Sequence, residues 1–556
     1  MPAGNVNQTQ NLGPKVGAQV HPIYQLMKPT WVQLADVREG TGGFLTTDNS
    51  SYIVPHPREW LDHSATTTDA VTGAKVTRVN PNPRNPSPKL QARRKLARYE
   101  NIASALLDSK KSLLFREQPA RRVGDAPPST TTEPTDLEEW WENVDGDGQH
   151  IDDAMVQWWD IAASFGHCVL YMDVGPDVDT DPGQAPQTAA DQSQPYVRVY
   201  TPLDVLDWRR DENGTLIWIK LLEAVQGLTT LESRGVTTFR VRIVDEVSWK
   251  LYDYKSGQYI SEGEHGFGVL PVAYLFGKRR SILTDVGESI LGDPRNHIDL
   301  FNLTSELREL LRNQTFSFIN LPLGTGPDAM SVESAQAMMG SQTGTMNVLF
   351  SGAAAQILTA DAANVAAYQA EIQRVKREIF REAGVPYESD TKDAESGQSL
   401  ETKREELAVR VAAYADECQQ TEYALVRLWY RARYGGDAGL TKMEADKVQI
   451  HYPEHFKQTP FKDVLDEAAA AQNLGMPGEF MRELRKSMVS KFEGMSNLDP
   501  ETLEAINQAI DAMPDDPTPA DKLQQKMALA AATSKVVPKP DLAKPGTNNA
   551  PGAAAA

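Results

Sequence analysis

The sequence predicts a mainly α protein of the α+β class, and three observations lead to this prediction. Apolar residues recur at helical spacing over long stretches before and after the middle of the chain. Between residues 167 and 254 the apolar runs are instead strand-length, with turn dipeptides between them. At 556 residues, the chain exceeds what one hydrophobic core supports, since domains usually contain about 100–200 residues. We therefore expect several domains or layers.

Composition excludes several classes of protein. The 76 acidic residues outnumber the 56 basic ones, for a formal net charge of −20. Non-specific coating of nucleic acid depends on Lys and Arg, so this balance argues against it, though not against a protein that lets nucleic acid pass. The two cysteines, Cys168 and Cys418, predict buried thiols rather than a disulfide or a zinc site. With neither a long apolar run nor a signal pattern, we expect a soluble chain folding in a reducing cytoplasm.

The first part of the chain alternates between helical and linker-like segments. Residues 1–20 are polar and predict a mobile arm. The proline-rich run at 79–89 predicts an extended connector, because proline suits neither a helix interior nor a sheet interior. Helical periodicity covers Lys89–Phe115 and, after the Pro/Thr-rich linker at 119–136, Leu137–Phe165.

A mixed α+β domain follows and ends near Phe276. Asn213-Gly214 and Ser256-Gly257 are turn signals between apolar runs, and an Asn-Gly pair favours a hairpin because both positions need positive φ. The predicted strands are His167–Val174, Tyr196–Tyr200, Leu216–Leu222, Phe239–Val244 and Ser248–Tyr254.

From Asp293 onward the sequence predicts long helices. Asp293 and Pro294 form a typical helix start, and the first of these helices fades near Ile319. A Gly-rich stretch follows, with one strand-like run at Met346–Phe350. The second helix begins after Asp361 and ends where Gly384 and Pro386 give stop signals; its apolar positions, spaced alternately by three and four residues, are Val365, Tyr368, Ile372, Val375 and Ile379.

A third, very long helix is predicted from Ser399 to about Gly435, some 35 residues or roughly 50 Å. Single helices with one narrow apolar seam gain little stability alone, so we expect them to need neighbours. A short strand at Val448–Tyr452 comes next, and Thr459-Pro460, Pro477 and Asp499-Pro500 each begin a further helix. Beyond residue 514 too few apolar residues remain for a packed core, which predicts a mostly disordered tail.

Motifs for catalysis or metal binding fail on inspection. Gly277-Lys278 lacks the earlier glycine of a phosphate-binding loop, and the Gly-rich Leu323–Gly326 lacks its lysine. His451 and His455 are separated by Pro453 and so cannot share a helical face.

Two acidic clusters deserve comparison with calcium loops. Asp177, Asp179 and Asp181 have the right alternation, but Pro182 occupies the position that requires glycine. Asp145 and Asp147 repeat the partial pattern without its closing acid. We interpret both clusters as solvated loop acids, with adventitious divalent binding as the alternative. The sequence therefore predicts no enzyme, no cofactor and no metal site.

The order of these parts resembles that of bacteriophage portal proteins, the head-tail connector family. The resemblance lies mainly in Glu288–Gly436. This stretch contains a predicted helix, a Gly-rich segment with one strand, and a helix with heptad spacing that ends in REAGVPYE. The sequence SGQSLETKREEL then begins a very long predicted helix. The earlier YENIASALLDSKKSLLFREQPARRV is similar to the helical start of a portal wing. None of these motifs is catalytic.

The resemblance implies a division into named parts. These are a flexible arm at 1–20, a wing at 21–285, a first stem helix at 286–319, a clip at 320–360, a second stem helix at 361–384, a tunnel loop at 385–398, a long wing helix with a return strand at 399–458, a helical crown at 459–513 and a disordered tail at 514–556.

The resemblance also implies candidate functional residues in three places. Residues of the tunnel loop expected to face DNA are Tyr387, Glu388, Asp390, Lys392, Asp393, Glu395 and Gly397. Those of the clip, expected to dock other proteins, are Leu323, Gly324, Met346, Val348 and Phe350. Those of the stem seam, expected to pack against the next copy of the chain, are Leu303, Leu307, Leu310, Val365, Ile372, Val375 and Ile379.

A portal protein forms a ring of about twelve subunits at one capsid vertex and is a passive channel for packaging and ejection of double-stranded DNA. The implied partners are further copies of this chain, the terminase large subunit that supplies ATP hydrolysis, the head-tail adaptor, and the major capsid and scaffolding proteins; no membrane is involved. The implied location is the virion, with assembly in the host cytoplasm. An acidic channel would repel phosphates and let DNA slide.

Two alternatives come from other classes of protein. A multi-helix scaffold or adaptor of the virion without a channel would be monomeric or dimeric. A nucleotide-driven packaging enzyme would need the phosphate-binding loop that this sequence lacks.

Overall fold

The protein is described from a computed structural model. The described residues are 16, 19–45, 51–55, 64–68, 75–79, 88–124, 135–174, 194–226, 237–280, 282, 285–315, 318–322, 331, 334, 347–351, 356–358, 362–387, 397–453, 456, 461–474, 476–491 and 500–512. Their fold mixes helix and sheet, with more helix than strand, which confirms the predicted α+β class. Contacts divide the chain into two compact units, Met1–Phe456 and Lys457–Ala556.

The elements are named in chain order. The helices are α1 Pro22–Glu39, α2 Pro88–Leu96, α3 Ile102–Leu114, α4 Asp136–Glu142, α5 Ile151–Phe165, α6 Pro294–Thr315, α7 Ala362–Ala383, α8 Gly397–Tyr434, α9 Gly436–Asp446, α10 Phe461–Leu474, α11 Gly478–Lys491 and α12 Pro500–Asp511, with a 3₁₀ turn at Gly42–Phe44. The strands are β1 Ser64–Thr68, β2 Lys75–Val79, β3 Ala120–Arg122, β4 His167–Val174, β5 Pro195–Tyr200, β6 Val205–Arg210, β7 Leu216–Gln226, β8 Thr237–Val244, β9 Ser248–Asp253, β10 Tyr259–Glu264, β11 Val272–Phe276, β12 Phe318–Pro322, β13 Asn347–Ser351, β14 Gln356–Leu358 and β15 Gln449–His451.

Two antiparallel sheets form the middle of the first unit. One has five strands in the order β10-β9-β8-β7-β6, and the other has three in the order β11-β4-β5. The predicted turns are confirmed, since Gly214 (φ 84°) lies between β6 and β7 and Gly257 (φ 66°) between β9 and β10. Sequence reasoning missed β6, β10 and β11, which are short and interrupted by charged or small residues.

The main hydrophobic core lies around β4. Every residue of β4 except the last is buried, which requires cover on both faces of its sheet. Helices α5 and α8 pack against this sheet and bring Trp158, Trp159 and Trp429 into the core. Cys168 and Cys418 are both buried, unpaired thiols, as predicted. Burial raises the pKa of each thiol well above its ordinary value.

The helical predictions for the N-terminal part need three corrections. Helix α1 was not predicted, because Pro29 lies inside it and its apolar residues resemble isolated clusters. The stretch Lys89–Phe115 contains two helices, since the Asn101 side chain accepts a hydrogen bond from the Ser104 N–H and caps a new one. Leu137–Phe165 is likewise divided, by the turn at 143–150.

A strand pair joins distant parts of the first unit. β3 pairs with β15 in antiparallel register, with Arg121 opposite Ile450. Next to this pair the Arg121 guanidinium contacts the fully buried Glu422 carboxylate at 2.5 and 3.0 Å and Asp152 at 2.6 Å. The Tyr452 hydroxyl also donates to Glu422, at 2.7 Å. These contacts fix helix α8 to both α5 and the two strands.

Most predicted elements after residue 293 are present. Helices α6, α7 and α8 begin within three residues of their predicted starts, and β13 and β15 lie where single strands were expected. β13 joins β12 and β14 in a small mixed sheet in which β12 pairs parallel with β13 and antiparallel with β14.

The second unit contains α10, α11 and α12, each beginning at its predicted proline-containing start. Lys486 of α11 bonds to Asp511 of α12 at 2.7 Å and so connects two of these helices. Among the described residues of the whole chain, none of the helices combines the length and the apolarity needed to cross a bilayer.

Candidate functional site

Helices α6 and α7, the two predicted stem helices, pack against each other through their apolar seams. Ile379 is fully buried, and Ile372 and Val375 are at least 92% buried. The cluster that they form also includes Leu300, Leu303 and Leu307 of α6 and Ile102 and Leu106 of α3. Three helices of one chain therefore share a small core separate from the main one.

Polar contacts at both ends show that α6 and α7 run antiparallel. At the start of α6, the Asp293 N–H donates to Glu382 Oε2 at 2.9 Å, and Asn296 Nδ2 donates to Glu382 Oε1 at 3.1 Å. Toward the other end, the Tyr368 hydroxyl donates to Glu306 Oε2 at 3.1 Å. Glu382 thus joins the last turn of α7 to the first turn of α6.

This packing corrects one expectation from the sequence. Ile372, Val375 and Ile379 do not require a second copy, because Leu303 and Leu307 of the same chain help to cover them. Leu310 and Val365, at the other end of the helix pair, are half-buried and are not members of that cluster. In the half of the predicted seam nearest residue 383, side chains of the same chain therefore cover the apolar residues.

Helix α7 ends where the sequence predicted, just before Gly384. Gly384 has φ 68°, the Gly384 N–H donates to the Arg381 carbonyl at 3.0 Å, and the Val385 N–H donates to the Phe380 carbonyl at 2.9 Å. These bonds form a Schellman motif, which needs a residue that tolerates positive φ, and Phe380 and Val385 both pack on the cluster.

Tyr387, the first candidate of the predicted tunnel loop, folds back on α7. Its hydroxyl donates to Gln373 Oε1, and its ring packs edge-on against Phe380 with centroids 5.0 Å apart. Gly397 is the first residue of α8. The remaining loop candidates lie outside the described residues: Glu388, Asp390, Lys392, Asp393 and Glu395.

The clip candidates are described only in part. The backbones of Val348 and Phe350 lie in β13, opposite Ile319 and Leu321 of β12. Leu323, Gly324 and Met346 lie outside the described residues.

Lys110 of α3 is a buried charged group that sequence reasoning missed. Its side chain is fully buried, its ammonium group donates to the Ala383 carbonyl at the end of α7, and it lies 5.5 Å from the centre of the Tyr414 ring. Burial, helped by the positive charges of Arg410 and Lys278, lowers the pKa of Lys110 to about 7. A helix C-terminus favours a cation, so α7 offers Lys110 a partner that is not a carboxylate.

A signal for Lys110 was present in the sequence. The buried positions of α3 are spaced by three and four residues, and Lys110 falls in that series: Ala103, Leu106, Leu107, Lys110 and Leu114. A lysine on the apolar face of a helix indicates a buried amine with a specific acceptor.

Other candidate chemistry has structural explanations. Asp145 Oδ1 accepts from the N–H groups of Asp147 and Gln149 at 2.8 and 3.0 Å, which stabilises a turn. Gly277 packs against the Ala162 carbonyl, where a Cβ would lie 2.4 Å from the oxygen, so it is not a phosphate cradle. Among the described residues, no group of three or more His, Cys, Asp or Glu side chains is arranged to hold a metal ion. Asp177, Asp179, Asp181 and His455 lie outside that part of the chain.

Taken together, the described part of the site is an antiparallel helix pair. Glu382 and Lys110 hold the end where α7 finishes and α6 begins, and the Tyr368–Glu306 hydrogen bond lies toward the other end. In the sequence, α7 is followed by the 388–396 segment and then by α8, which begins at Gly397. Comparison with known proteins adds no assignment, since the chain matches no protein-family model and no curated protein.

Proposed function

We propose that this protein is a portal subunit, which assembles into a ring at one capsid vertex and forms the channel through which DNA is packaged and ejected. In this proposal the chain is a passive conduit and a docking hub for the terminase and the head-tail adaptor. ATP hydrolysis comes from the terminase and not from this chain.

The observation that carries the proposal is the succession of elements from α6 to α8. Helices α6 and α7 form an antiparallel pair, and the small mixed sheet of β12, β13 and β14 lies between them in the sequence. A short segment follows, and then α8, a 38-residue helix that packs on the α+β body. At about 1.5 Å per residue, that helix spans roughly 57 Å. The same order of parts carries the resemblance to portal proteins in the sequence.

Charge supports the same function. With a net charge of −20 per chain, a ring of such subunits would repel DNA phosphates on average, so a duplex could move without being held. The 388–396 segment carries four acidic residues and one lysine, which fits transient contact with a passing backbone.

A scaffold or adaptor of the virion without a channel is the second candidate. It is favoured by the cluster around Ile372, Val375 and Ile379, which covers much of the stem seam without a second copy. This candidate predicts a monomer or dimer with no lumen.

The first experiment measures the mass of the purified chain. Size-exclusion chromatography with light scattering should give a species of several hundred kilodaltons, and negative-stain images should show rings with a central hole. A 61.3 kDa monomer at all salt and protein concentrations would contradict the proposal and support the adaptor. Measurable ATPase activity of the isolated chain would instead support a packaging enzyme.

A second experiment tests the predicted tunnel loop. Deletion of Asp390–Gln398 should leave the rings intact, as checked by mass and images, and should impair DNA packaging or retention. Intact rings with unchanged packaging and retention would show that this segment does not act on DNA.

A further inference from the structure

An apolar surface lies at the turn between helices α10 and α11 of the second unit. Leu474 is 76% exposed, and Met476 and Phe480 are 43% and 47% exposed. Ala470, one helical turn before Leu474, is exposed as well. These four residues are called the hairpin surface below. Large apolar side chains grouped in water are typical of a contact with another protein segment.

The backbone at the turn keeps the members of the hairpin surface together. The Met476 N–H donates to the Ala471 carbonyl at 3.3 Å, and the Met481 N–H donates to the Pro477 carbonyl at 3.1 Å. The turn between the two helices comprises only residues 475–477. The last residue of α10 and the first turn of α11 therefore flank it, and both contribute to the hairpin surface.

Helix α12 packs on a different side of α11. Lys486 of α11 bonds to Asp511 of α12 at 2.7 Å. Since each residue turns a helix by about 100°, Lys486 lies about 120° around α11 from Phe480. Helix α12 therefore leaves the hairpin surface open and ends near the middle of α11.

The sequence after α12 contains a segment with the pattern of an amphipathic helix. The run TPAD at 518–521 is a typical helix start, with threonine as cap, proline at the first helical position and aspartate two residues later. Leu523, Met527 and Ala530 then recur at helical spacing. So short a segment, with so few large apolar side chains, needs a surface to pack on.

The hairpin surface and this segment carry opposite charges at their borders. Asp466 and Glu479 border the hairpin surface, are exposed and have no basic partner within the described ranges. Lys522 and Lys526 are one helical turn apart in the tail segment. Opposite charges around an apolar contact orient the two partners.

The connection is long enough for docking within one chain. Leu523 follows Ala512, which is the last described residue, by about eleven residues, and an extended chain spans roughly 3.3 Å per residue, or about 36 Å. Phe480 lies about 9 Å along α11 from Lys486, and a helix is about 10 Å across. The segment can therefore cross α11 and reach the hairpin surface. Both belong to the unit Lys457–Ala556.

We propose that residues 519–533 dock as a helix on the hairpin surface of the same chain, with Leu523 and Met527 against Leu474 and Phe480. The lysines of the segment then face the acidic border of that surface. This contact does not depend on the proposed ring, because all of its residues belong to one chain.

Oxidation of engineered cysteine pairs in the full-length chain tests the docking. The native thiols Cys168 and Cys418 are buried, so an added pair can react by itself. Phe480→Cys with Met527→Cys should form a disulfide within one chain roughly tenfold or more faster than the control, Phe480→Cys with Ala553→Cys. Loop closure alone would favour the first pair by only about twofold, because its loop has about 47 residues and the control loop about 73.

Peptide mapping without reductant separates the outcomes. A fast disulfide within one chain that is slowed to the control rate by Leu523→Asp supports the docking. A ratio near twofold between the two pairs would show that the segment does not dock. Disulfides that join two chains through Met527→Cys would show that the segment binds another copy, and disulfides between two chains carrying Phe480→Cys alone would show that a second copy covers the hairpin surface. Each of these three results overturns the proposal, whether or not the wild type forms rings.

Discussion

The buried amine of Lys110 makes stability depend on pH, and replacing it by methionine tests this. Methionine has a similar length and no charge. The wild type buries the ammonium group against the Ala383 carbonyl and the Tyr414 ring. We therefore expect a difference in unfolding free energy between Lys110→Met and wild type that changes with pH.

The direction of this pH dependence follows from the pKa values of Lys110 in the folded and in the unfolded chain. Its pKa is about 7 in the folded chain and has its ordinary value of 10.5 in the unfolded chain. Between these values the unfolded state binds more protons, so the free energy of unfolding of the wild type rises with pH. Each pKa unit corresponds to ~1.4 kcal/mol, and the folded amine is already half neutral at pH 7, so wild type should gain about 2.3 kcal/mol on Lys110→Met between pH 7 and pH 9.

Urea unfolding at fixed protein concentration measures this difference. Intrinsic fluorescence of the ten tryptophans can follow unfolding, and Trp159, whose ring lies 5.9 Å from that of Tyr414, is the one nearest in the structure to the Lys110 environment described above. The exposed Lys255, replaced by methionine in the same way, controls for loss of a lysine. A constant difference between wild type and Lys110→Met from pH 6 to pH 9 would refute the reasoning, since it would mean that Lys110 keeps one charge state throughout.

Three further predictions concern buried groups. Glu422→Gln leaves Arg121 with only the partly exposed Asp152 as an anionic partner and should cost at most about 3–5 kcal/mol in chemical unfolding. A cost under ~1 kcal/mol would contradict the role given to the Arg121–Glu422 pair. Ile379→Ala opens a cavity between α6 and α7 and should lower the free energy of unfolding by about 2–5 kcal/mol. The control Val409→Ala, at a position 71% exposed, should lower it little. Equal losses would mean that the cluster around Ile379 is loosely packed. Burial lowers the pKa of His167 to about 4, so the free energy of unfolding should fall as pH drops from 6.5 to 4. In acid titrations, His167→Asn should remove up to about 3 kcal/mol of that fall. An unchanged acid transition in the variant would argue against a neutral buried imidazole.

The elements that were predicted correctly are those whose sequence signals lie within the element or at its ends. Alternation and turn glycines identified β4, β5, β7, β8 and β9, and the stop signal at Gly384 appears as a Schellman motif. Helix α1 was missed because the packing of Trp31 and its neighbours outweighs the penalty of Pro29.

The parts of the site that were not predicted depend on contacts between distant residues. Nothing near Ile372 in the sequence says that α6 of the same chain covers it, and so a second copy was expected. Lys110 was overlooked because a lysine counts as polar in a hydrophobicity pattern, whatever face of the helix it occupies. The charged loop from Glu388 to Glu395 lies outside the described residues, so its role stays a prediction.

The pairing of β3 with β15 has a consequence for how the protein is made. Residues 120–122 meet residues 449–451, so this sheet cannot close until the ribosome has released almost the whole first unit. Contacts so distant in sequence form late in folding. A truncated translation product ending before residue 449 would leave Arg121 without its strand partner and would be exposed to proteolysis. The strand pair therefore closes the first unit only once almost all of its residues have been synthesised.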